Sequence, residues 1–202
     1  VYVFWKSHES LEHGDVQITF TPASYPDSTY SRLDKLPGMT CCTYQQRPES
    51  KGYVHARSTD PHESPLIQPN YLAHETDRQV LLGSIRLTRR LLRTPEMAPY
   101  YRGETNPGEH VVSDDELLDA VRASAGSCFH PMGSCRMGPG ADAVVDDQLR
   151  VHGMEGLRVA DASIMPTMPS ANLNASSIMI GEKASDLIRG RPALPAVDFP
   201  FG

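Results

Sequence analysis

The chain has 202 residues, with 25 acidic and 19 basic side chains, and its net charge of −6 provides no positive field that would attract a nucleic acid. Its hydrophobic content of 39% is enough for a packed core, and it contains no run of about 18 apolar residues that could span a membrane. The first residues, VYVFWKSHES, have neither a secretory-signal pattern nor an initiator Met, so we expect the chain to be part of a longer protein. Small molecules and other proteins are its expected partners.

The first third of the chain has strand character. Residues 15–21 alternate apolar and polar side chains, which is typical of a half-buried strand, and Pro22 ends the pattern. Residues 40–46 and 52–57 are two further strand candidates, separated by the turn-prone stretch 47–51. Together these segments predict an antiparallel sheet.

Two helices are predicted next. Residues 77–93 repeat apolar side chains at the helical period, with an arginine-rich face opposite that we interpret as solvated rather than as a binding patch. The apolar stripe consists of Val80, Leu81, Ile85, Leu87, Leu91 and Leu92. Ser113 and Glu116 have capping-box spacing, which predicts a second helix from Ser113 to about Ser124.

The last third begins irregularly. Residues 127–141 are rich in Gly, Met and Pro and have little periodicity, and the apolar run 157–160 predicts a short buried strand. A final helix is expected with Asn174 as its N-cap and Gly190 as its C-terminal stop.

The chain has four cysteines, Cys41, Cys42, Cys128 and Cys135, which do not form the regular framework of a small disulfide-rich domain. We therefore expect reduced thiols. Cys128, His130 and Cys135 could be imagined as zinc ligands, but a second ligand pair at suitable spacing is missing, so no metal site is predicted.

Three segments in the last third occur in a characteristic order: FHPMGSCRMG at 129–138, GLRVADASIMP at 156–166 and PSANLNASSIMIGEKASDLI at 169–188. They resemble the closing signature of the glucose-methanol-choline (GMC) oxidoreductases, which oxidise alcohols with bound FAD. Upstream, residues 14–25, 47–61 and 65–72 look like the strands and turns of that family's substrate domain. The chain is thus identified as the C-terminal part of a GMC oxidoreductase.

The resemblance implies an α/β fold: an α+β substrate domain with an antiparallel sheet, plus the closing strand and helix of an FAD-binding Rossmann-like domain. Residues 1–126 would form the substrate-binding domain, 127–190 the active-site loop and closing segment, and 191–202 a tail. The Gly-x-Gly-x-x-Gly loop that would hold the FAD pyrophosphate does not occur in the sequence. The expected partners are therefore an alcohol substrate and the N-terminal FAD-binding part, in the same or a separate chain, and a homo-oligomer stays open.

The same resemblance assigns two catalytic residues. His130 matches the family's catalytic histidine, an imidazole that can accept the substrate hydroxyl proton. Asn172 matches the position opposite it and would orient the alkoxide by hydrogen bonding, although an Asn before a helix can also be a simple capping residue. The pair is similar to the choline-type branch of the family rather than to the branch with two histidines.

Further positions are carried over from the family. The helix starting at Asn174 and Ala175 would direct its N-terminus at the flavin ring, and Asp161 and Ala162 would lie against the ribityl and phosphate region of FAD. Phe129 and Cys128 are candidates for lining the substrate pocket, with ordinary packing as the alternative for both. The assignment requires no metal.

Two other functions stay open at this point. One is a non-catalytic relative that serves as an interaction module, and the other is a flavoprotein of the same fold with lyase or photodecarboxylase chemistry. The identity of the alcohol, the electron acceptor and the covalent or non-covalent attachment of the flavin are not determined by the sequence.

Overall fold

The computed structural model describes residues 1–25 and 32–197, and contacts divide the chain into two compact units, Val1–Cys128 and Phe129–Gly202. The strands are β1 Tyr2–Trp5, β2 Val16–Thr21, β3 Thr40–Gln45, β4 Tyr53–His55 and β5 Leu66–Gln68, and the helices are α1 Glu75–Leu92, α2 Asp114–Ser124 and α3 Asn174–Arg189, with a 3-10 turn at Ala162–Ile164. These antiparallel strands and helices confirm the predicted mixed α/β class.

The main sheet has the order β1-β2-β3 with antiparallel pairing throughout. The strands β2 and β3 correspond to the predicted segments, and Ile18 lies opposite Thr43 in their register. Strand β1 was not predicted from the sequence, although its β-branched and aromatic residues suit a pleated surface. Trp5 of β1 lies opposite Val16, so the start of the chain is the edge of this sheet.

The prediction that residues 52–57 join the same sheet is wrong. Strand β4 pairs with β5 in a separate two-stranded hairpin, where Val54 lies opposite Ile67. Both strands are short and exposed, so they lack a buried face that would fix them against the main sheet.

Helix α1 packs on the main sheet and completes the core of the first unit. Val16 and Ile18 from β2 are 1% and 3% exposed, and they form one cluster with Val80 and Leu87 of α1. The predicted stripe is correct for these two helix residues, but Leu91 is 38% exposed. Four residues outside the stripe are buried as well: Asp77, Leu82, Ser84 and Thr88.

Three arginines on the basic face of α1 form ion pairs within the same unit. Arg89 donates to both carboxylate oxygens of Glu104 at 2.8 and 2.9 Å, and the two side chains are only 14% and 13% exposed. The ion pairs are Arg86–Asp114, Arg89–Glu104 and Arg93–Glu109. These arginines therefore hold the 104–114 region against α1.

Helix α2 begins as predicted with a capping box. The Ser113 hydroxyl accepts from the Glu116 backbone N–H, while the Glu116 carboxylate accepts from the Ser113 backbone N–H at 3.1 Å. On the inner face Leu117 is completely buried, which anchors the helix to the first unit.

The second unit has a small core built from loops, isolated bridges and α3. Its buried residues are Val145, Leu149, Ile164, Met165, Leu173, Ile180 and Ala184. The buried strand predicted at 157–160 is not formed: Leu157 is 45% exposed, and Arg158 makes only an isolated bridge with Arg150. An apolar run of four residues is too short to distinguish a strand from a loop that touches the core.

In the described part of the chain, 1–25 and 32–197, none of the helices combines the length and the apolar character required to cross a membrane. Of the predicted tail, residues 191–197 are without helix or strand, and residues 198–202 lie outside the described residues.

Candidate active site

His130 and Asn172 lie side by side in the second unit, although 42 residues separate them in the sequence. The amide nitrogen of Asn172 is 3.5 Å from Nε2 of His130, which is the outer limit of hydrogen-bond distance, and both residues are exposed. The sequence resemblance placed these two residues opposite each other, and the structure brings them together.

The loop that carries His130 is attached to the core immediately after the histidine. Cys135 donates its backbone N–H to Ser163 O at 3.0 Å, and Met137 donates to Ile164 O at 2.8 Å. The side chains of Met132 and Met137 pack against the buried cluster of the unit. Phe129 adopts a positive φ of 57°, an uncommon backbone conformation for an aromatic residue, one residue before His130.

Asn172 is positioned by the start of α3, which differs by one residue from the prediction. Leu173 is the N-cap and Asn174 is the first helical residue, so the expected role of Asn174 as an N-cap is wrong. Leu173 is 4% exposed, and its burial in the core explains why an apolar residue occupies the cap position. Leucine offers no acceptor, so the first backbone N–H groups of α3 are available to an external acceptor.

A pocket with a volume of about 240 Å³ lies at this helix start. Its lining residues are Phe129, His130, Pro131, Ala162, Leu173, Asn174 and Ser177. Four of them are predicted site residues: Phe129, His130, Ala162 and Asn174. Pro131 and Leu173 were not singled out from the sequence, whereas Ser177 is one of the small residues expected at the helix start, and it shares a helix face with Asn174 three residues earlier.

Two other predicted site residues, Asp161 and Cys128, do not line this pocket. Asp161 accepts a 2.8 Å hydrogen bond from the Ser163 backbone N–H and so caps the 3-10 turn that begins at Ala162. Cys128 belongs to the first unit. Desolvation, and then the charge of Cys42, raise the pKa of the Cys128 thiol to about 11, which keeps it protonated at neutral pH.

The helix start fits an anionic group such as the reduced edge of a flavin. The N-terminus of α3 carries partial positive charge from the aligned peptide dipoles of the helix. Its first residues, Asn174 and Ala175, are exposed. The small side chains of Ala175 and Ser176 allow a planar ring to approach the backbone N–H groups closely. Within residues 1–25 and 32–197 there is no cluster of three His, Cys, Asp or Glu side chains suited to a metal ion, and none of the four cysteines is in a disulfide bond.

Comparison with known proteins gives a consistent result. The sequence model of the GMC oxidoreductases matches residues 48–181. An oxygen-dependent choline dehydrogenase of Escherichia coli O17:K52:H18 (strain UMN026 / ExPEC) is 43% identical over 192 residues, covering 95% of this chain and 34% of the relative. The chain therefore spans about a third of the length of the curated relatives it matches.

Solved structures share the fold. Pyridoxine 4-oxidase from Mesorbium loti superposes with a TM-score of 0.84 at 24% identity, over 95% of this chain and 38% of that protein. Formate oxidase from Aspergillus oryzae RIB40, a structure that concerns FAD modification, superposes with a TM-score of 0.80 at 29% identity, over 89% of this chain and 32% of that protein. The chain belongs to the GMC oxidoreductase family, whose cofactor is FAD.

Proposed function

We propose that the chain is the C-terminal portion of an FAD-dependent alcohol oxidoreductase in which His130 is the general base. The observation that supports this most directly is the approach of His130 and Asn172 to 3.5 Å beside an open helix start. A relative that is 43% identical to the chain is an oxygen-dependent choline dehydrogenase, so alcohols are the substrate class we propose.

His130 is exposed, and its ring carries a nitrogen that can accept a proton, as a general base requires. An amide nitrogen is only a donor, so the imidazole Nε2 acts as the acceptor toward Asn172 in this arrangement. A substrate hydroxyl that replaces this weak contact would meet the same lone pair. Transfer of the hydroxyl proton to Nε2 leaves an alkoxide, from which the carbon-bound hydrogen departs more easily as hydride.

Asn172 would bind the oxygen from which His130 removes the proton. Its amide N–H can donate to the developing alkoxide without exchanging protons, so it orients the substrate and stabilises negative charge. Because Asn172 precedes the buried Leu173 cap by one residue, the core of the unit limits the movement of this amide.

The flavin site would be completed by a second polypeptide region. FAD would supply the hydride acceptor, and the first backbone N–H groups of α3, at Asn174 and Ala175, would lie toward its negatively charged edge. Ala162 would line the same cavity, next to the turn capped by Asp161. The pyrophosphate loop is absent from this sequence, so we propose that the flavin-binding part of the protein provides it.

The test is the rate of flavin reduction by an alcohol in the protein assembled with its flavin-binding part. His130→Ala should slow reduction by about 10² to 10⁴, the usual contribution of general base catalysis. His152→Ala is the matched control, because His152 is an exposed histidine of the same unit whose ring nitrogen contacts Gly138 O at 3.0 Å. Stopped-flow reduction of His130→Ala at the wild-type rate would overturn the assignment.

Asn172→Ala refines the test. Loss of one hydrogen bond of about 0.5–1.5 kcal/mol should slow reduction only about 2- to 13-fold. A loss as large as that of His130→Ala would indicate that the two side chains act as a unit. The assembled protein can also be tested for activity with a panel of alcohols and a redox dye as electron acceptor. A protein that holds FAD but oxidises none of these alcohols would instead support the interaction module, or the lyase and photodecarboxylase alternatives.

A further inference from the structure

The loop that carries His130 is held by the 3-10 turn at Ala162–Ile164. The backbone N–H groups of Cys135 and Met137 donate to two carbonyl oxygens of this turn, at 3.0 and 2.8 Å. The first residue of the turn, Ala162, lines the same pocket as His130. One turn of three residues thus positions both the histidine loop and a wall of the pocket.

Gly133 brings the loop close to the turn. Its φ is +83°, a backbone conformation that residues with a side chain rarely adopt, and a Cβ at this position would lie only 3.3 Å from Met165 O, one residue beyond the turn. The loop and the turn therefore approach each other more closely than most side chains at Gly133 would allow. Ile164 and Met165 are buried, so the turn itself is anchored in the core of the unit.

Asp161 fixes the start of this turn. Its Oδ1 accepts from the Ser163 backbone N–H at 2.8 Å, and its backbone oxygen accepts from the Ile164 N–H at 3.2 Å. A side-chain oxygen that accepts from the N–H two residues later favours the turn over extended backbone. Asp161 does not line the pocket at His130. Within this chain, its carboxylate is connected to His130 through the turn and the loop.

Resting on the function proposed above, we infer that Asp161 is a positioning residue: by capping the turn, its side chain sets the geometry of the loop that carries His130. The property that matters is a hydrogen-bond acceptor at this position, not the negative charge. Loss of the acceptor would free the Ser163 N–H and loosen the two contacts that hold the loop. A displacement of about 1 Å at a catalytic group can cost about 10²-fold in rate, so a residue that acts through a turn can still limit the reaction.

Three substitutions separate the acceptor from the charge. Asp161→Asn keeps an acceptor at the same distance from the backbone and removes the charge, whereas Asp161→Glu keeps the charge and moves the acceptor one methylene further away. Asp161→Ala removes both, and the Asn and Glu variants decide the question if the Ala variant fails to fold. Asp146→Ala is the matched control, because Asp146 caps a turn of the same unit in the same way, accepting from the Gln148 backbone N–H at 2.9 Å, and does not line the pocket.

Hydrogen exchange in residues 129–137 measures how firmly the loop is held. It is followed by mass spectrometry on the protein assembled with its flavin-binding part. We expect exchange about 2- to 13-fold faster in Asp161→Ala and Asp161→Glu, the factor that corresponds to one lost hydrogen bond. Asp161→Asn and Asp146→Ala should exchange in this segment as the wild type does.

Stopped-flow reduction of the bound flavin by choline measures the consequence for the chemistry. At saturating choline, the rate should fall about 10- to 100-fold in Asp161→Ala and Asp161→Glu and stay near the wild-type value in Asp161→Asn and Asp146→Ala. The choline concentration that gives half the maximal rate should change little, because the base and not the binding of the alcohol is displaced. The FAD content should be the same in all variants.

Several results would overturn the inference: wild-type exchange in Asp161→Glu, equal effects of Asp161→Asn and Asp161→Glu, or reduction in Asp146→Ala that is as slow as in Asp161→Glu. Loss of FAD from Asp161→Ala would also overturn it, because the carboxylate would then contact the cofactor directly. Failure of the proposed function gives a different pattern. If choline reduced the flavin as fast in His130→Ala as in the wild type, or not at all, while exchange still responded to Asp161→Glu and not to Asp161→Asn, Asp161 would keep its role in holding the loop and the chemistry would be refuted.

Discussion

Asp77 shows how a single buried carboxylate connects two parts of the first unit. The residue is 3% exposed in the first turn of α1, and its two oxygens accept from the backbone N–H groups of Glu49 and Ser50 at 2.9 and 2.8 Å. Burial alone raises the pKa of this carboxyl, but the hydrogen bonds from Ser50 and Glu49 outweigh it and lower the pKa below its usual value of 3.8. The turn after β3 is thereby fastened to the start of the helix.

Because the pKa of Asp77 is lower in the folded than in the unfolded state, its ionised form stabilises the fold at neutral pH. Asp77→Asn should lower the free energy of unfolding by about 1–3 kcal/mol, because charge-assisted bonds are lost. The difference from wild type should be complete above pH 5 or so and should shrink as the pH falls through 3.8 and below.

Thermal unfolding followed by circular dichroism across this pH range measures the effect. Asp115→Asn is the control, because Asp115 is also an acidic residue in the first turn of a helix, but it is exposed. A stability difference for Asp77→Asn that stays constant from neutral to acid pH would contradict this account.

Only part of the candidate site could be predicted from the sequence. His130 and Asn172 were paired by resemblance to family motifs, because nothing in their spacing of 42 residues indicates contact. Pro131, Leu173 and Ser177 complete the pocket through the irregular loop and the cap of α3, whose geometry depends on tertiary packing. Local sequence patterns do not contain that information.

At the scale of secondary structure, α2 is the element whose start is most clearly encoded. Ser113→Ala removes the acceptor for the Glu116 backbone N–H and should cost about 1 kcal/mol, which lowers the melting temperature by about 2–4 °C in a chain of this size. The matched control is Ser124→Ala at the other end of α2, where the hydroxyl only donates to Ala120 O. An unchanged melting temperature for Ser113→Ala would show that the cap does not limit the stability of the helix.

Signals within single segments predicted the three helices: an apolar stripe for α1, a capping box for α2, and an apolar repeat that ends at Gly190 for α3. The failures involve short segments. Residues 157–160 contact the core without forming a strand, and β4 has only three residues and pairs with β5 rather than with the main sheet. In both cases the pairing is decided by distant partners, which local patterns cannot identify.

At the scale of the whole molecule, the chain alone should not retain FAD in stoichiometric amount. It offers the cavity wall at His130 and the start of α3, but it contains no pyrophosphate-binding glycine loop. Absorbance of the purified chain in the flavin range, before and after assembly with the flavin-binding part, measures this directly. A yellow, monomeric chain obtained without the flavin-binding part would show that this chain binds FAD by itself, contrary to the prediction.

The division of the chain between Cys128 and Phe129 has an evolutionary consequence. The imidazole, the carboxamide and the exposed helix start all come from one contiguous stretch that begins at Phe129. A recombination event upstream of that residue would exchange the β-sheets and the two preceding helices, and it would keep together all the residues that we propose for proton transfer. Under the proposed function, exchange of the first unit would leave the proposed chemistry of the second unit in place.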